Sequence, residues 1–170
     1  MEQKQIIADW FDAYSEDIYH FLVYRIGYLE AEDLVQEVFI RAYRALHSYQ
    51  ENAKPKSWLL SIARNIAIDT IRQRNRKQLF FPSYKYEKEL DHQEGPEHIL
   101  VSQELNHSLY HAIHTLNPRY RDVLILKGLK ELSVSETAYI LGWKESKVRL
   151  TYHRAKKALK TALGGESNES

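Results

Sequence analysis

The sequence predicts an all-α protein made of two small helical domains joined by a flexible linker. Glycine and proline are scarce, 6 and 4 of 170 residues, so few positions interrupt a helix. Apolar residues recur at the three- and four-residue spacing of amphipathic helices through both halves of the chain. Between the halves the pattern fails, over Phe80 to His98.

Each element follows from the residues in order. Helical patterning runs from about Ile6 to Ile26 and breaks near Gly27. Leu34, Val35, Val38, Phe39, Ala42 and Leu46 form the next stripe. The stretch "HSYQENAKPKS" is polar and contains Pro55, so it reads as a loop. Trp58, Leu59, Ile62, Ile66, Ala67 and Ile71 then form a third stripe, completing a bundle of three or four helices over residues 1–78. Residues 79–100 combine Pro82, Gly95 and Pro96 with mixed charge and read as the linker; an ordered lid on one domain is the alternative.

The second domain is expected over 101–163. A helix from about Val101 to Leu116 is broken by "NPRYR", and another runs from Asp122 to about Lys127. Ser133 with Glu136 forms a capping box that starts a short helix over Val134, Ala138, Ile140 and Leu141. Gly142 ends it, since glycine takes the left-handed conformation of a sharp turn. A long basic helix follows from about Glu145 to Leu163, and the tail 164–170 is expected to be disordered. Short helix, glycine turn and longer basic helix make the helix-turn-helix pattern.

Composition narrows the function classes. The chain has 44% hydrophobic and 28% charged residues, enough for packed cores in a soluble protein. No apolar run is long enough to span a membrane, and the first residues lack the basic start and apolar run of a secretory signal. Without cysteine there is no disulfide and no thiolate metal site, which fits a cytoplasmic protein. The net charge of +1 hides a segregation. Residues 1–37 hold nine acids against Lys4 and Arg25, a balance of −7. Residues 64–77 hold Arg64, Arg72, Arg74, Arg76 and Lys77 against Asp69, a balance of +4. Residues 144–160 hold seven cations against Glu145, a balance of +6. Such basic blocks are candidates for phosphate.

In a helix-turn-helix the second helix enters the major groove. Val148, Tyr152, Ala155 and Leu159 would pack inward, leaving Lys147, Arg149, Thr151, His153 and Arg154 on the open side or its flank. Cations there neutralise phosphate, and arginine can also pair with guanine. A merely solvated basic face is the bland alternative; capping box, glycine turn and charge together favour DNA. "WLLSIARNIAIDTIRQRNRK" is a second basic helix. Its cations, with Tyr43, Tyr49 and Trp58 around the preceding loop and Asn65 on the helix, suit single-stranded nucleic acid. A solvated helix end with cations near the C-terminal dipole remains the other reading.

The stretches "AEDLVQEVFIRAYRAL", "SWLLSIARNIAIDTIRQRNR" and "LNPRYRDVLILKGLKELSVSETAYILG" resemble the extracytoplasmic-function sigma factors of bacterial RNA polymerase, in the family's order and spacing. The resemblance implies a sigma-2 helical bundle followed by a sigma-4 helix-turn-helix domain. It implies that "DLVQE" lies on the helix docking core polymerase, making Asp33, Gln36, Glu37 and Arg41 contacts. For these acids a solvated face is the alternative. It implies capture of a flipped base of the minus-ten element by Tyr49 and Asn65, with Arg64, Arg72, Arg74 and Arg76 on the backbone. Trp58 reads instead as a core anchor.

For the minus-thirty-five element the resemblance implies Arg149, His153 and Arg154 as DNA contacts, with Lys147, Lys156 and Lys157 available to phosphates. Leu150 and Thr151 stand where many family members have serine and arginine, and Lys147 where they have threonine. Leucine and threonine can contact a thymine methyl, so the departures bear on promoter preference more than on DNA binding. The implied partners are core RNA polymerase, promoter DNA and a membrane-bound anti-sigma factor; no cofactor, metal or catalysis is implied.

Other classes fit less well. Glu104, His107, His111 and His114 line one helix face, as zinc ligands can, but Leu105, Leu109, Ala112, Ile113 and Leu116 form the buried stripe and leave the histidines outward. There is no Gly-rich phosphate loop, GxSxG elbow or HExxH. A stand-alone duplex-DNA regulator would pair its helix-turn-helix with a strand-containing receiver, whereas this first half reads as helical. An interaction-only protein would leave two basic helices without a role.

Overall fold

A computed structural model describes residues 2–81 and 104–164. The chain divides into two compact units, Met1–Gln93 and Glu94–Ser170, and every described regular element is helical. Most of the expected linker and residues 165–170 of the tail lie outside the described residues.

Among the described residues the first unit holds three α-helices, α1 (Glu2–Ile26), α2 (Ala31–Ala45) and α3 (Pro55–Phe80), each packed on the other two. Gly27, at φ 100°, makes the sharp exit from α1 that other residues resist. Pro55 starts α3 because a first-turn position needs no N–H partner. Ile18, Phe21 and Leu22 of α1, Val38 of α2 and Leu59, Leu60 and Ile66 of α3 supply the core, all within 2% of complete burial. Each such side chain contributes about 1.5–3 kcal/mol on leaving water. Helix α3 runs to Phe80, past the expected boundary at 78, and leaves Leu79 and Phe80 exposed.

Two side-chain ties join the bundle's ends. Arg74 of α3 donates through Nη1 to the Ile26 carbonyl at 3.1 Å, and its Nη2 lies 3.6 Å from Glu30. It thus closes the last turn of α1, whose carbonyls lack helical partners. Arg41 of α2 donates to Glu37 at 3.1 Å and reaches Asp69 of α3 at 3.5 Å.

The second unit contains α4 (Glu104–His114), α5 (Pro118–Val123), α6 (Val134–Leu141) and α7 (Glu145–Ala162). Here the structure corrects the expectation that "NPRYR" breaks the chain before a helix at Asp122. Asn117 instead caps α5 by accepting from the Tyr120 N–H at 3.0 Å, and Pro118 takes the first helical position. After Val123 the backbone widens into a π-helical turn, Leu124–Leu129, whose Leu124, Ile125 and Leu126 are buried. Gly128 of that turn faces α7: a Cβ there would stand 3.7 Å from the Tyr152 Oη. Arg121 donates to the carbonyls of His114 at 2.6 Å and Leu116 at 3.0 Å, closing the end of α4.

The turn before α7 forms as its residues predict. Ser133 and Glu136 complete a reciprocal capping box, at 3.0 and 3.2 Å. Gly142 sits at φ 69° in the left-handed region. Val148 and Ala155 of α7 are fully buried, while Tyr152 and Leu159 are half-buried at the rim of the same stripe.

Candidate nucleic-acid interface

Helix α7 turns its remaining residues outward. At about 100° per residue, Leu150, Arg154 and Lys157 share the centre of the open face, within about 40° of Leu150, and Lys147 and His153 flank them at about 60°. Arg149 and Thr151 lie at its two edges. Lys147, Arg149, Leu150, His153, Arg154, Lys156 and Lys157 are exposed and Thr151 is half-buried. Leu150 is 50% exposed, so an aliphatic side chain stands at the middle of a cationic face.

Neighbouring groups pre-position these cations. The Lys147 ammonium lies 4.3 Å from the Trp143 ring centre, and Lys156 lies 4.6 Å from that of Tyr152. Arg149 approaches Glu145 at 3.8 Å, an exposed i,i+4 pair that phosphate can replace at little cost. An open cleft of about 580 Å³ runs between the start of α5 and α7. Asn117, Pro118, Arg119 and Tyr120 form one wall, and Lys147, Leu150, Thr151 and Arg154 the other. Sequence reasoning missed the α5 wall because "NPRYR" read as an interruption rather than a helix start.

In the first unit, Asn65, Arg72 and Arg76 are exposed and share one face of α3, with Arg72 and Arg76 each within about 20° of Asn65 in helical phase. Arg64 is half-buried on an adjacent face. Arg74 falls about 180° from Asn65 and spends its guanidinium on Ile26 and Glu30, with 13% of its side chain exposed. The structure therefore does not bring Arg74 together with the other three arginines.

Tyr49 closes the loop before α3 and is half-buried. Its ring lies 5.2 Å from Trp10 and 5.0 Å from Trp58, and its hydroxyl donates to the Ala53 carbonyl at 2.5 Å. Trp58 is half-buried in the same three-ring cluster, also touching Trp10 at 6.0 Å. Trp10 went unnoticed in the sequence because only the packing of α1 on α3 brings it there. On α2, Asp33 and Gln36 are exposed, whereas Glu37 and Arg41 are tied together and onward to Asp69.

A three-helix bundle with a basic, amide-bearing face, accompanied by a helix-turn-helix whose second helix is cationic, has the character of a nucleic-acid-binding protein. Residues 10–77 match the family model for Sigma-70 region 2, and residues 106–159 that for Sigma-70, region 4. The chain belongs to the extracytoplasmic-function RNA polymerase sigma factors. It is 36% identical over 154 residues to the sigma factor SigX of Bacillus subtilis, covering 88% of this chain and 79% of that one. It is 35% identical over 174 residues to SigW of the same organism, covering 94% and 90%. Among solved structures, the sigma factor RpoE of Bartonella quintana, crystallised with the anti-sigma factor NepR, superposes with a TM-score of 0.77 at 22% identity, covering 92% of this chain and 96% of that one. CnrH, solved with the cytosolic domain of CnrY, gives 0.69 at 18% identity, covering 95% and 90%. These last two likenesses bear on the fold.

Proposed function

We propose that this chain is a cytoplasmic sigma subunit that binds core RNA polymerase, recognises two promoter elements and helps open the DNA, without catalysis of its own. The observation that carries the reading is the open face of α7, whose exposed cations surround Leu150 behind a capped glycine turn. In a major groove that face neutralises phosphates through Lys147 and Lys157, with Arg149, Leu150, Thr151, His153 and Arg154 within reach of base edges. Asn65, Arg72 and Arg76 supply the amide and cations that an unpaired minus-ten strand requires, and Arg64 flanks them. Base capture at Tyr49 requires its ring to leave Trp10 and Trp58, or the base to stack on the cluster's outer edge. Asp33 and Gln36, with the Glu37–Arg41 pair, offer core polymerase a polar face on α2.

Two structural relatives were solved with anti-sigma partners, NepR and the cytosolic domain of CnrY. By that likeness we assign this chain an anti-sigma regulator, membrane-bound, that covers its DNA- and polymerase-binding surfaces. No helix among the described residues is long and apolar enough to cross a membrane.

Run-off transcription with core polymerase and genomic DNA, with and without the protein, tests the reading. New specific start sites support it; their absence refutes it. Arg149→Ala is expected to weaken promoter binding about tenfold, in line with loss of one base or phosphate contact. Asn65→Ala should leave binding of closed promoter near normal and slow its opening. Identical defects in both steps would count against two separate interfaces.

A further inference from the structure

Helix α4 carries a feature that promoter recognition does not use. His107 and His111 stand one turn apart, and their Nε2 atoms lie 3.1 Å from each other. Their rings meet edge to face, with centres 4.4 Å apart. His107 is exposed and His111 half-buried, so the nitrogens face an approachable surface. Tyr110, itself 4% exposed, sets its ring 5.5 Å from that of His111 and 4.3 Å from that of His114. The buried phenol ring thereby holds one imidazole of the pair in place from behind.

We propose that His107 and His111 form a two-point chelate for a divalent transition-metal ion. The chemistry of the donors selects the class: neutral imidazole suits zinc, copper and nickel, whereas magnesium and calcium demand oxygen. The geometry matches. With metal–nitrogen bonds of about 2.05 Å, nitrogens 3.1 Å apart subtend about 98° at the ion, close to the angle of adjacent ligands in tetragonal and octahedral sites. Among the described residues no group of three or more histidine, cysteine, aspartate or glutamate side chains is placed to hold a metal. Two imidazoles make an open surface chelate, unlike the closed four-ligand sites that hold folds together. By linking successive turns of α4, the ion would stiffen the helix that packs on α7.

The test uses untagged full-length protein, since an affinity tag would contribute imidazoles of its own. Zinc chloride and, separately, nickel chloride are titrated at neutral pH by calorimetry, and thermal unfolding is followed with and without each salt. One ion per chain is expected, with His107→Ala and His111→Ala each weakening binding at least about tenfold. His47→Ala, at an exposed histidine of the first unit, should bind as the parent does. Cobalt substitution adds an absorption band that reports the ligand field and should vanish in both α4 variants. Far-ultraviolet circular dichroism checks that the variants fold. A parent that binds no ion, or variants that bind it unchanged, would overturn the proposal. So would a loss of stability in His107→Ala that is identical with and without metal, because a simple imidazole–imidazole hydrogen bond predicts that result. None of these outcomes depends on promoter recognition.

Discussion

Arg74 offers the sharpest separation of a folding role from a DNA-binding one. Its guanidinium donates to the Ile26 carbonyl at 3.1 Å and pairs with Glu30 at 3.6 Å, with only 13% of the side chain exposed. Arg74→Ala removes a charged hydrogen bond worth about 1.5–3 kcal/mol and leaves the end of α1 without its donor. The ion pair adds about 0.5 kcal/mol, because Glu30 is 39% exposed and screened by water. The expected loss is therefore about 2–3.5 kcal/mol for the first unit, lowering its melting temperature by roughly 10–20 °C. Urea unfolding followed by fluorescence in a Trp143→Phe background reads this, since the remaining Trp10 and Trp58 both lie in that unit. The salt dependence of promoter binding by the reconstituted holoenzyme supplies the contrast. Arg72→Ala and Arg76→Ala should each lower its slope by about 0.7–0.9, as the loss of one phosphate contact does, while Arg74→Ala leaves the slope unchanged. An Arg74→Ala protein of parental stability with a reduced slope would refute the assignment.

Local predictions concern the second unit. Ser133→Ala should cost about 1 kcal/mol through loss of the capping box, read from Trp143 fluorescence in urea. Gly142→Ala should cost about 1–2 kcal/mol through backbone conformation alone, since no atom beyond the adjoining residues lies within 4 Å of the added Cβ. A much larger loss would mean that the turn is packed more tightly than its geometry indicates. Leu150→Ala should leave stability within about 0.5 kcal/mol of the parent, the side chain being half exposed, yet change the minus-thirty-five sequences enriched from a randomised pool. An unchanged preference would remove Leu150 from base reading.

How much of this was legible in the chain varies residue by residue. The turn at Gly142 was, because Ser133, Glu136 and the glycine act on backbone groups three or four residues away. The inward stripe of α7 was too, with Val148 and Ala155 buried as helical period requires. The displacement of Arg74 from the other arginines was available in its phase, half a turn from Asn65, but a count of cations along the helix hid it. The start of α5 was hidden in a different way. Asn117 and Pro118 are turn residues and cap residues alike, and only the helix that follows decides between the two.

By itself, then, the sequence determined the helical class, the division into two units, the helix-turn-helix and the open face of α7. All of these depend on interactions within a few residues or on the period of the apolar pattern. Tertiary structure alone decided the rest. It widened Leu124–Leu129 into a π turn against Tyr152, gave Arg121 the carbonyls of His114 and Leu116, and tied Arg41 to Asp69 across two helices. It also gathered Trp10, Tyr49 and Trp58 into one cluster. Each of these pairs groups that spacing along a single helix cannot relate. Their partners are chosen only when helices pack, because a buried or half-buried polar group must then find whatever acceptor the packing brings within hydrogen-bond reach.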